Sequence, residues 1–283
     1  MKVKIVVDSA CDLPREIAQK LDLTFVSTRT IFGQEEYLDG INLTTEQFYE
    51  KMEETDARPT TSQPPPADYA EAFEKALEDG DVVVCLTPGA KLSGCCQSAH
   101  IAAEPFGDKV MVVDSETVTI GEQLLVLRAV KLRDDGLSAQ EIVDQLNREK
   151  KQVRMLALLD TLEYLKKGGR ISSAVAFAGT LLSIKPIVGI RNSELSMISK
   201  ARGMRNGGRK LMELIKQGKG INFEKPFVLA HTGLSNLPLR KFLEDFSEMI
   251  ESKVEMQPLC RIGSTIGAHA GPGAIGLAYF EKE

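Results

Sequence analysis

The chain alternates short β-branched runs with amphipathic stretches, most clearly in its first half. Runs of the kind that are buried on both faces of a parallel sheet are Val3–Val7, Val82–Leu86 and Val110–Val113. Between them, Thr44 with Gln47 and Ser138 with Glu141 match the capping box that begins a helix. Strands and helices in alternation predict βαβ units and therefore an α/β fold.

The second half continues the alternation but with a different texture. Its predicted strands are Val153–Leu158, Ile184–Ile190, Leu195–Ile198, Phe227–Ala230, Val254–Arg261 and Ile275–Phe280, and its predicted helices are Arg205–Gln217 and Leu237–Ile250. Because Arg191–Glu194 joins two of these strands directly, a mixed sheet is favoured. We expect two closely packed α/β domains, residues 1–152 with a parallel sheet and residues 153–283 with a mixed sheet.

Composition supports an ordinary globular protein. A chain of 283 residues and 31.0 kDa fits about two domains, and 43% hydrophobic with 27% charged residues excludes disorder and fibres. The net charge of −5 argues against wholesale binding to nucleic acid or anionic membranes. No apolar run reaches the roughly 20 residues of a transmembrane helix, and the strand-like start does not resemble a signal peptide.

The cysteines and histidines predict neither disulfides nor a metal centre. Five cysteines, none in a CxxC pair, indicate free thiols in a reducing compartment, so we expect a cytoplasmic protein. Cys95 and Cys96 are adjacent, a poor geometry for a mutual disulfide. Three histidines without a zinc-type cluster make a structural metal improbable.

Several familiar catalytic motifs are absent or false. Gly271–Gly276 matches GxGxxG, but too little chain follows it for the helix and acidic residue that a dinucleotide site needs. No P-loop sequence is present, and neither is the GxSxG elbow of many hydrolases. The sequence therefore offers no nucleotide-binding motif of its own.

Two hydroxyl-bearing segments are candidates for binding an anion. Thr60–Pro64 is predicted to be a loop, and Pro64–Pro66 then leads into a helix near Asp68–Glu78. Ser93 and Gly94 follow a predicted strand and open the next helix. Hydroxyls and free N–H groups at helix starts bind anions, although each segment alone is more typical of ordinary helix capping. The carboxyl ends of parallel strands are where open α/β sheets place ligands.

Three further features are ambiguous by themselves. His269 lies among glycines, which is typical of a surface loop as well as of a site. Arg202 belongs to Lys185–Lys219, a segment with nine Lys or Arg and two Glu. Such a segment forms either a solvated helix face or a docking surface for an acidic partner. Ala174–Leu182, built of small and aliphatic residues, either leaves room for a ligand or packs closely as a helix.

Taken together in order, the motifs resemble the DegV family, the fatty-acid-binding subunits of bacterial two-component fatty acid kinases. The resemblance covers essentially the whole chain. Its matching segments are Asp8-Ser9 with Asp12–Pro14, Thr61–Pro64, Ser93-Gly94 with Gln97–Ala99, Val113–Ser115, Leu165–Ser172, Leu181-Leu182 with Ile184–Ile187, and Ile266–Ala274.

The resemblance implies a lipid-binding protein of bacterial phospholipid metabolism rather than an enzyme. Family members bind a long-chain fatty acid, such as palmitate, in a tunnel between two α/β domains. Residues matching Thr61 and Ser93, with backbone N–H groups nearby at Ser62 and Gly94, hold the carboxylate, and His269 lies beside it. Arg202 resembles a residue linked to that network in some members.

The family also implies a division of labour with a kinase. A separate catalytic subunit brings ATP and converts the bound acid to acyl phosphate, so we expect no cofactor here beyond the fatty acid. We place Arg205 and Arg209, with Arg202, near the tunnel mouth as a docking surface for that subunit.

Departures from the family pattern and rival functions remain. Cys95-Cys96 replaces the usual Thr-Tyr pair, while Thr119 and Gln123 stand where Ser and Gly are common, which affects the choice of acyl chain.

One rival function is that of an ester hydrolase with Ser93 as nucleophile and His269 as base. The other is a regulatory module that binds a different small carboxylate.

Overall fold

The fold is α/β, with two main sheets and one small sheet. A computed structural model describes residues 1–55, 58–171, 183–254 and 259–283. Within these ranges the helices are α1 Arg15–Lys20, α2 Thr45–Glu54, α3 Pro66–Leu77, α4 Cys95–Ala103, α5 Ile120–Asp134, α6 Ala139–Glu149, α7 Glu163–Lys167, α8 Met204–Gln217, α9 Leu237–Val254 and α10 Ser264–Ala270. Short 3₁₀ turns are Ser9–Cys11, Glu104–Lys109 and Lys150–Gln152.

The strands divide between the three sheets. They are β1 Val3–Asp8, β2 Leu23–Val26, β3 Arg29–Phe32, β4 Glu35–Leu38, β5 Thr60–Ser62, β6 Val82–Thr87, β7 Val110–Asp114, β8 Val153–Leu158, β9 Ile184–Arg191, β10 Glu194–Arg202, β11 Phe227–His231, β12 Cys260–Arg261 and β13 Ile275–Phe280. The order is β2-β1-β6-β7 in the first sheet, β10-β9-β8-β13-β11-β12 in the second and β4-β3-β5 in the third.

The first sheet is entirely parallel, as predicted. Its central strands β1 and β6 are buried at every position, because helices cover both faces. On one face, Tyr69 and Phe73 of α3 pack with α4 against the sheet. On the other face, α5 and α6 contribute a second apolar layer that includes Leu124 and Ile142.

The second sheet is mixed: β11 pairs with β12 in parallel and the other strand pairs are antiparallel. Helices α8 and α9 cover the outer face, where Leu158 and Leu229 pack against Leu211 and Phe242. Helix α5 contacts the inner face as well as the parallel sheet. Because α5 lies between two sheets, apolar residues surround it instead of forming one stripe.

The small antiparallel sheet joins the two halves near the inner face. Strand β3 pairs with β4 on one side and with β5 on the other, and Thr30 lies opposite Thr61. Helix α10, from the second half of the chain, packs against β3 and β5. This sheet was not predicted, and the expectation of a loop at Thr60–Pro64 is wrong at Thr60–Ser62. The strand forms because β3 supplies its hydrogen-bond partners.

Most local predictions agree with the structure. Both capping boxes, at Thr44 and at Ser138, are formed, and α3 begins with Pro66 in its first position. The strand expected at Val254–Arg261 is wrong at its start, since α9 continues to Val254; of the described residues in that range, Cys260–Arg261 pairs with β11. Ala174–Leu182 lies outside the described residues.

The position of the two sheets along the chain agrees with the expected halves. The parallel strands all precede residue 115, and the mixed-sheet strands all follow residue 152. The division into two domains at residues 1–152 and 153–283 stays a prediction. All five cysteines are free and buried. Among the described residues, no helix has the length and apolar character required to cross a bilayer.

Candidate functional site

A cavity lies between the inner face of the mixed sheet and the N-terminal half. The space between the protein atoms there, including the open solvent at its mouth, is about 950 Å³. The mixed sheet contributes Met155, Ala157 and Val188, and the start of α5 contributes Ile120. The wall is mainly apolar, so the cavity suits a ligand with a large hydrocarbon part.

Polar side chains gather where β5, α10 and the loop after β6 meet. Thr61 on β5 and His269 on α10 both line the cavity, and Thr61 Oγ1 lies 2.8 Å from His269 Nε2. Ser93, in the loop between β6 and α4, lines the same cavity. The structure therefore brings together three residues that are far apart in the sequence and that we predicted for one site.

His269 is in a helix, contrary to the loop reading of its glycine-rich surroundings. Burial, and next the charge of Arg170, lower the pKa of His269 from 6.5 to about 4, so the imidazole is neutral at pH 7. Its Nδ1 atom is buried and has no hydrogen-bond partner among the described residues. A neutral imidazole with one nitrogen engaged and the other unpartnered is suited to adjust its protonation to a ligand.

Ser93 is positioned by the first turn of α4. Its Oγ accepts a hydrogen bond from the backbone N–H of Cys95 at 3.3 Å and lies 3.0 Å from Cys95 Sγ. Sulfur is a weak hydrogen-bond acceptor, so the Ser93 hydroxyl can donate its hydrogen bond to a stronger acceptor instead. The backbone N–H of Cys95 thus fixes the position of Ser93 Oγ, while its sulfur binds the Ser93 hydroxyl only weakly.

Arg170 is the cationic residue of the cavity wall that the sequence reasoning did not assign to the site. Its guanidinium donates to the backbone carbonyls of Gly168 at 2.8 Å and Leu92 at 3.3 Å. Arg170 and Ser93 also border an outer recess formed with Lys91, Gly94, Glu194 and Met197. The polar end of the cavity is therefore adjacent to a solvent-facing recess. The sequence indicated Arg170 by its position within Leu165–Ser172, one of the segments that match the family.

The other predicted site residues lie elsewhere. Ser62 follows Thr61 on β5 but does not line the cavity, and Gly94 borders only the outer recess. Arg202 is exposed at the end of β10 and is not part of the cavity wall. Its backbone carbonyl accepts a 2.9 Å hydrogen bond from Asn206.

Arg205 and Arg209 are exposed on α8, which covers the outer face of the mixed sheet, opposite the cavity. Arg205 pairs with Asp245 of α9 at 3.4 Å. Helix α8 packs through Leu211 on the face of the sheet that does not line the cavity, and the expectation that these arginines lie near the cavity mouth stays a prediction. Their contact with a partner stays a prediction.

The site lacks the arrangement of a serine hydrolase. Ser93 Oγ is engaged with Cys95, and the hydrogen-bond partner of His269 is Thr61 rather than Ser93. No acidic residue in the described part of the chain is hydrogen-bonded to His269 Nδ1. A nucleophile–base pair with an orienting carboxylate is therefore not formed. Across the same residues, no group of three His, Cys, Asp or Glu side chains is arranged to hold a metal ion.

Comparisons with known proteins agree with this architecture. A DegV domain-containing protein of Deinococcus radiodurans is 36% identical over 288 residues, 98% of each chain. A fatty-acid-binding DegV family protein from Thermus thermophilus superposes with a TM-score of 0.88 at 30% identity, over 100% of each chain. The fatty acid kinase B3 protein of Streptococcus pneumoniae, loaded with linoleic acid, superposes at 0.84 over 100% of each chain. At 23% identity, that last likeness shows the fold alone.

The family assignment follows from the match along nearly the whole length. The sequence model of the DegV family, which is described as a family of uncharacterised proteins, matches residues 2–282 of the chain. The order of segments noted in the sequence, the two sheets and the cavity between them are consistent with that match. The chain therefore belongs to the DegV family.

Proposed function

We propose that this protein binds a long-chain fatty acid, of the palmitate type, in the cavity between its two sheets. The observation that carries the proposal is an apolar cavity with Thr61, Ser93 and His269 gathered at one end. A ligand with a hydrocarbon tail and one anionic head matches this division. A small carboxylate without a tail would leave the apolar wall facing empty space.

The head-group chemistry follows from hydrogen-bond donors. A carboxylate only accepts hydrogen bonds, so each residue around it has to donate. When His269 carries its proton on Nε2, it donates to Thr61 Oγ1, and the hydroxyl proton of Thr61 is then directed to the carboxylate. Ser93 supplies a second hydroxyl once it exchanges its hydrogen bond to Cys95 Sγ for one to the carboxylate.

The tail supplies most of the binding free energy. Each buried methylene is worth about 0.8 kcal/mol, so a chain of roughly fourteen contributes about 11 kcal/mol before the ordering costs. Neutral donors at the head add less, and they leave the carboxylate without a full salt bridge. The oxygen therefore keeps the nucleophilic character that a later reaction requires.

We infer that the bound acid is presented to a separate kinase subunit, as the sequence resemblance to fatty acid kinase subunits implies. A carboxylate oxygen would attack the γ-phosphorus of ATP, forming the acyl phosphate as the bond to ADP breaks. The sequence has no P-loop, so ATP comes with the partner. Arg170 borders both the cavity and the outer recess, where its positive charge would face the incoming phosphoryl group.

Mass spectrometry of an organic extract tests the binding proposal. Purified protein from a bacterial host should carry stoichiometric long-chain fatty acid, and delipidated protein should take up palmitate. A co-purified small carboxylate, or no uptake of any fatty acid, would contradict it. Acyl phosphate formation with a kinase subunit and ATP then tests presentation. Binding without acyl phosphate would reject only the kinase step.

A further inference from the structure

The contact between Thr61 and His269 depends on the placement of a very short helix. Helix α10 has seven residues, fewer than a helix needs to be stable alone in water. His269 lies in its last turn, about 7.5 Å along the axis from Ser264 at a rise of 1.5 Å per residue. A small displacement of α10 would break the 2.8 Å contact with Thr61.

Asp39, from the N-terminal half, holds the start of this helix. Its carboxyl oxygens accept hydrogen bonds from the backbone N–H groups of Ser264 at 3.3 Å and Thr265 at 3.4 Å. It also accepts from the Thr265 hydroxyl at 2.7 Å. Asp39 is buried, and its own backbone N–H donates to Thr28 at 3.0 Å. Asp39 is thus a fixed cap for α10, although it lies far from the helix in sequence.

Thr30 provides a second connection to the same helix. Its Oγ1 lies 2.8 Å from Ser264 Oγ, and both residues are buried. On β3, Thr30 is the cross-strand neighbour of Thr61. The strand that aligns Thr61 is therefore linked directly to the helix that carries His269.

We propose that Asp39 and Thr30 are positioning residues for the head-group site, because they fix α10 so that His269 meets Thr61. Neither residue lines the cavity. This inference rests on the proposed fatty-acid function for its binding readout, but the geometry of His269 can be followed without any ligand.

Substitutions at Asp39 give the first test. Asp39→Ala removes the cap and should weaken binding of a fluorescent fatty acid at least fivefold, while shifting the imidazole NMR resonances of His269. Asp39→Asn keeps one acceptor oxygen for Ser264 but puts an NH2 donor in place of the oxygen that faces Thr265, so both readouts should fall between those of wild type and Asp39→Ala. Thr30→Val, which keeps the β-branched shape, should shift the same resonances, and it decides the matter if Asp39→Ala does not fold.

Glu149→Ala is the matched control, because Glu149 of α6 is buried and paired with Arg128 of α5 but does not line the cavity. It should lower the melting temperature without moving the His269 resonances or the affinity. The inference is overturned if Asp39→Ala and Thr30→Val also leave both readouts unchanged. If the wild type binds no fatty acid while the resonances still shift, the proposed function fails and the positioning role stands.

Discussion

The backbone of Gly168 lies directly against the imidazole of His269. A Cβ atom built on Gly168 would be 2.2 Å from His269 Nδ1. Gly168 has an ordinary right-handed helical conformation, with φ −74° and ψ −4°, so any residue could adopt it. Glycine is needed here for space, and the need comes from His269 rather than from the turn.

Replacing Gly168 by alanine should displace His269 and weaken fatty-acid binding. The added methyl meets a ring within the wall of the cavity, and overpacking of this kind costs about 1–3 kcal/mol. We expect a lower melting temperature together with altered NMR resonances of His269. Gly169→Ala is the contrasting variant, since no atom lies within 4 Å of its Cβ position while its φ is +68°. It should cost stability through strain and leave His269 in place.

Removing the hydroxyls should weaken fatty-acid binding independently of folding. Thr61→Val and Ser93→Ala each remove one hydrogen bond to a charged group, worth about 1.5–3 kcal/mol, or roughly tenfold to hundredfold in affinity. Titration of the delipidated protein with a fluorescent fatty acid measures the loss. Unchanged affinity in the double variant would refute the head-group assignment.

Ser62→Ala tests whether the side chain of Ser62 takes part in the site, since the sequence expectation concerned its backbone N–H. Ser62 was predicted for the site from its neighbours, but it does not line the cavity, and its hydroxyl lies 3.4 Å from the Gln63 carbonyl. The affinity of the Ser62→Ala variant for fatty acid should therefore equal that of the wild type. A loss comparable to that of Thr61→Val would instead place the Ser62 hydroxyl at the head group.

Predictions from the sequence were accurate where the determining contacts are local. The capping boxes at Thr44 and Ser138 lie within four residues, so their sequence pattern is sufficient. The β5 strand and α10 were missed because their stabilising partners are remote. Thr61 is in a strand only because Thr30 lies beside it, and Gly267 is tolerated in α10 because its bare Cα fits against Phe48 of α2.

The same distinction between local and remote contacts applies to the predicted site residues. Thr61, Ser93 and His269 were predicted through the family resemblance, and the structure places all three on one cavity wall. The position of Arg205 relative to the cavity could not be derived from the sequence, because charge along a sequence does not indicate which face of a sheet a helix covers. Helix α8 packs on the outer face through buried residues such as Leu211.

The neutral state of His269 predicts a specific dependence of stability on pH. Its pKa is lowered by burial and by Arg170 from 6.5 to about 4, so the unfolded chain binds the proton more tightly. The stability that this provides is complete above pH 6.5 and decreases as the pH falls toward 4, by about 3 kcal/mol at most. The difference in unfolding free energy between wild type and His269→Asn isolates this contribution. A difference that does not vary over this pH range would contradict it.

A bound carboxylate should raise the pKa of His269, because a nearby negative charge favours the imidazolium. An NMR titration should place the midpoint near pH 4 in the delipidated protein and higher with palmitate bound. His269→Asn assigns the resonance among the three histidines. An identical midpoint in both states would mean that the carboxylate does not lie beside His269.

The raised pKa of Asp12 predicts the opposite dependence of stability on pH, a decrease as the pH rises. Burial raises the pKa of Asp12 from 3.8 to about 8, although Thr119 and Gly263 donate hydrogen bonds to it. The folded protein then holds a proton that the unfolded chain releases, so stability decreases as the pH rises from about 4 through 8, by about 1.4 kcal/mol per pH unit where the proton difference is complete. In urea titrations, Asp12→Asn should lose this slope. A slope equal to that of the wild type would show that Asp12 is ionised in the folded state.

The last prediction concerns where a kinase subunit docks. Lys91 borders the outer recess beside Ser93, and its Nζ lies 3.2 Å from Glu194, whereas Arg205 and Arg209 lie on α8 across the sheet. Because electrostatic steering acts on the association rate and decreases with salt, Lys91→Ala should raise the kinase concentration needed for half-maximal acyl phosphate formation at low salt. Fatty-acid affinity should be unchanged, since Lys91 does not line the cavity. Arg205→Ala with Arg209→Ala should leave the kinase dependence as in the wild type. The reverse result would place docking on α8 and require that the partner reach the recess from the outer face of the mixed sheet.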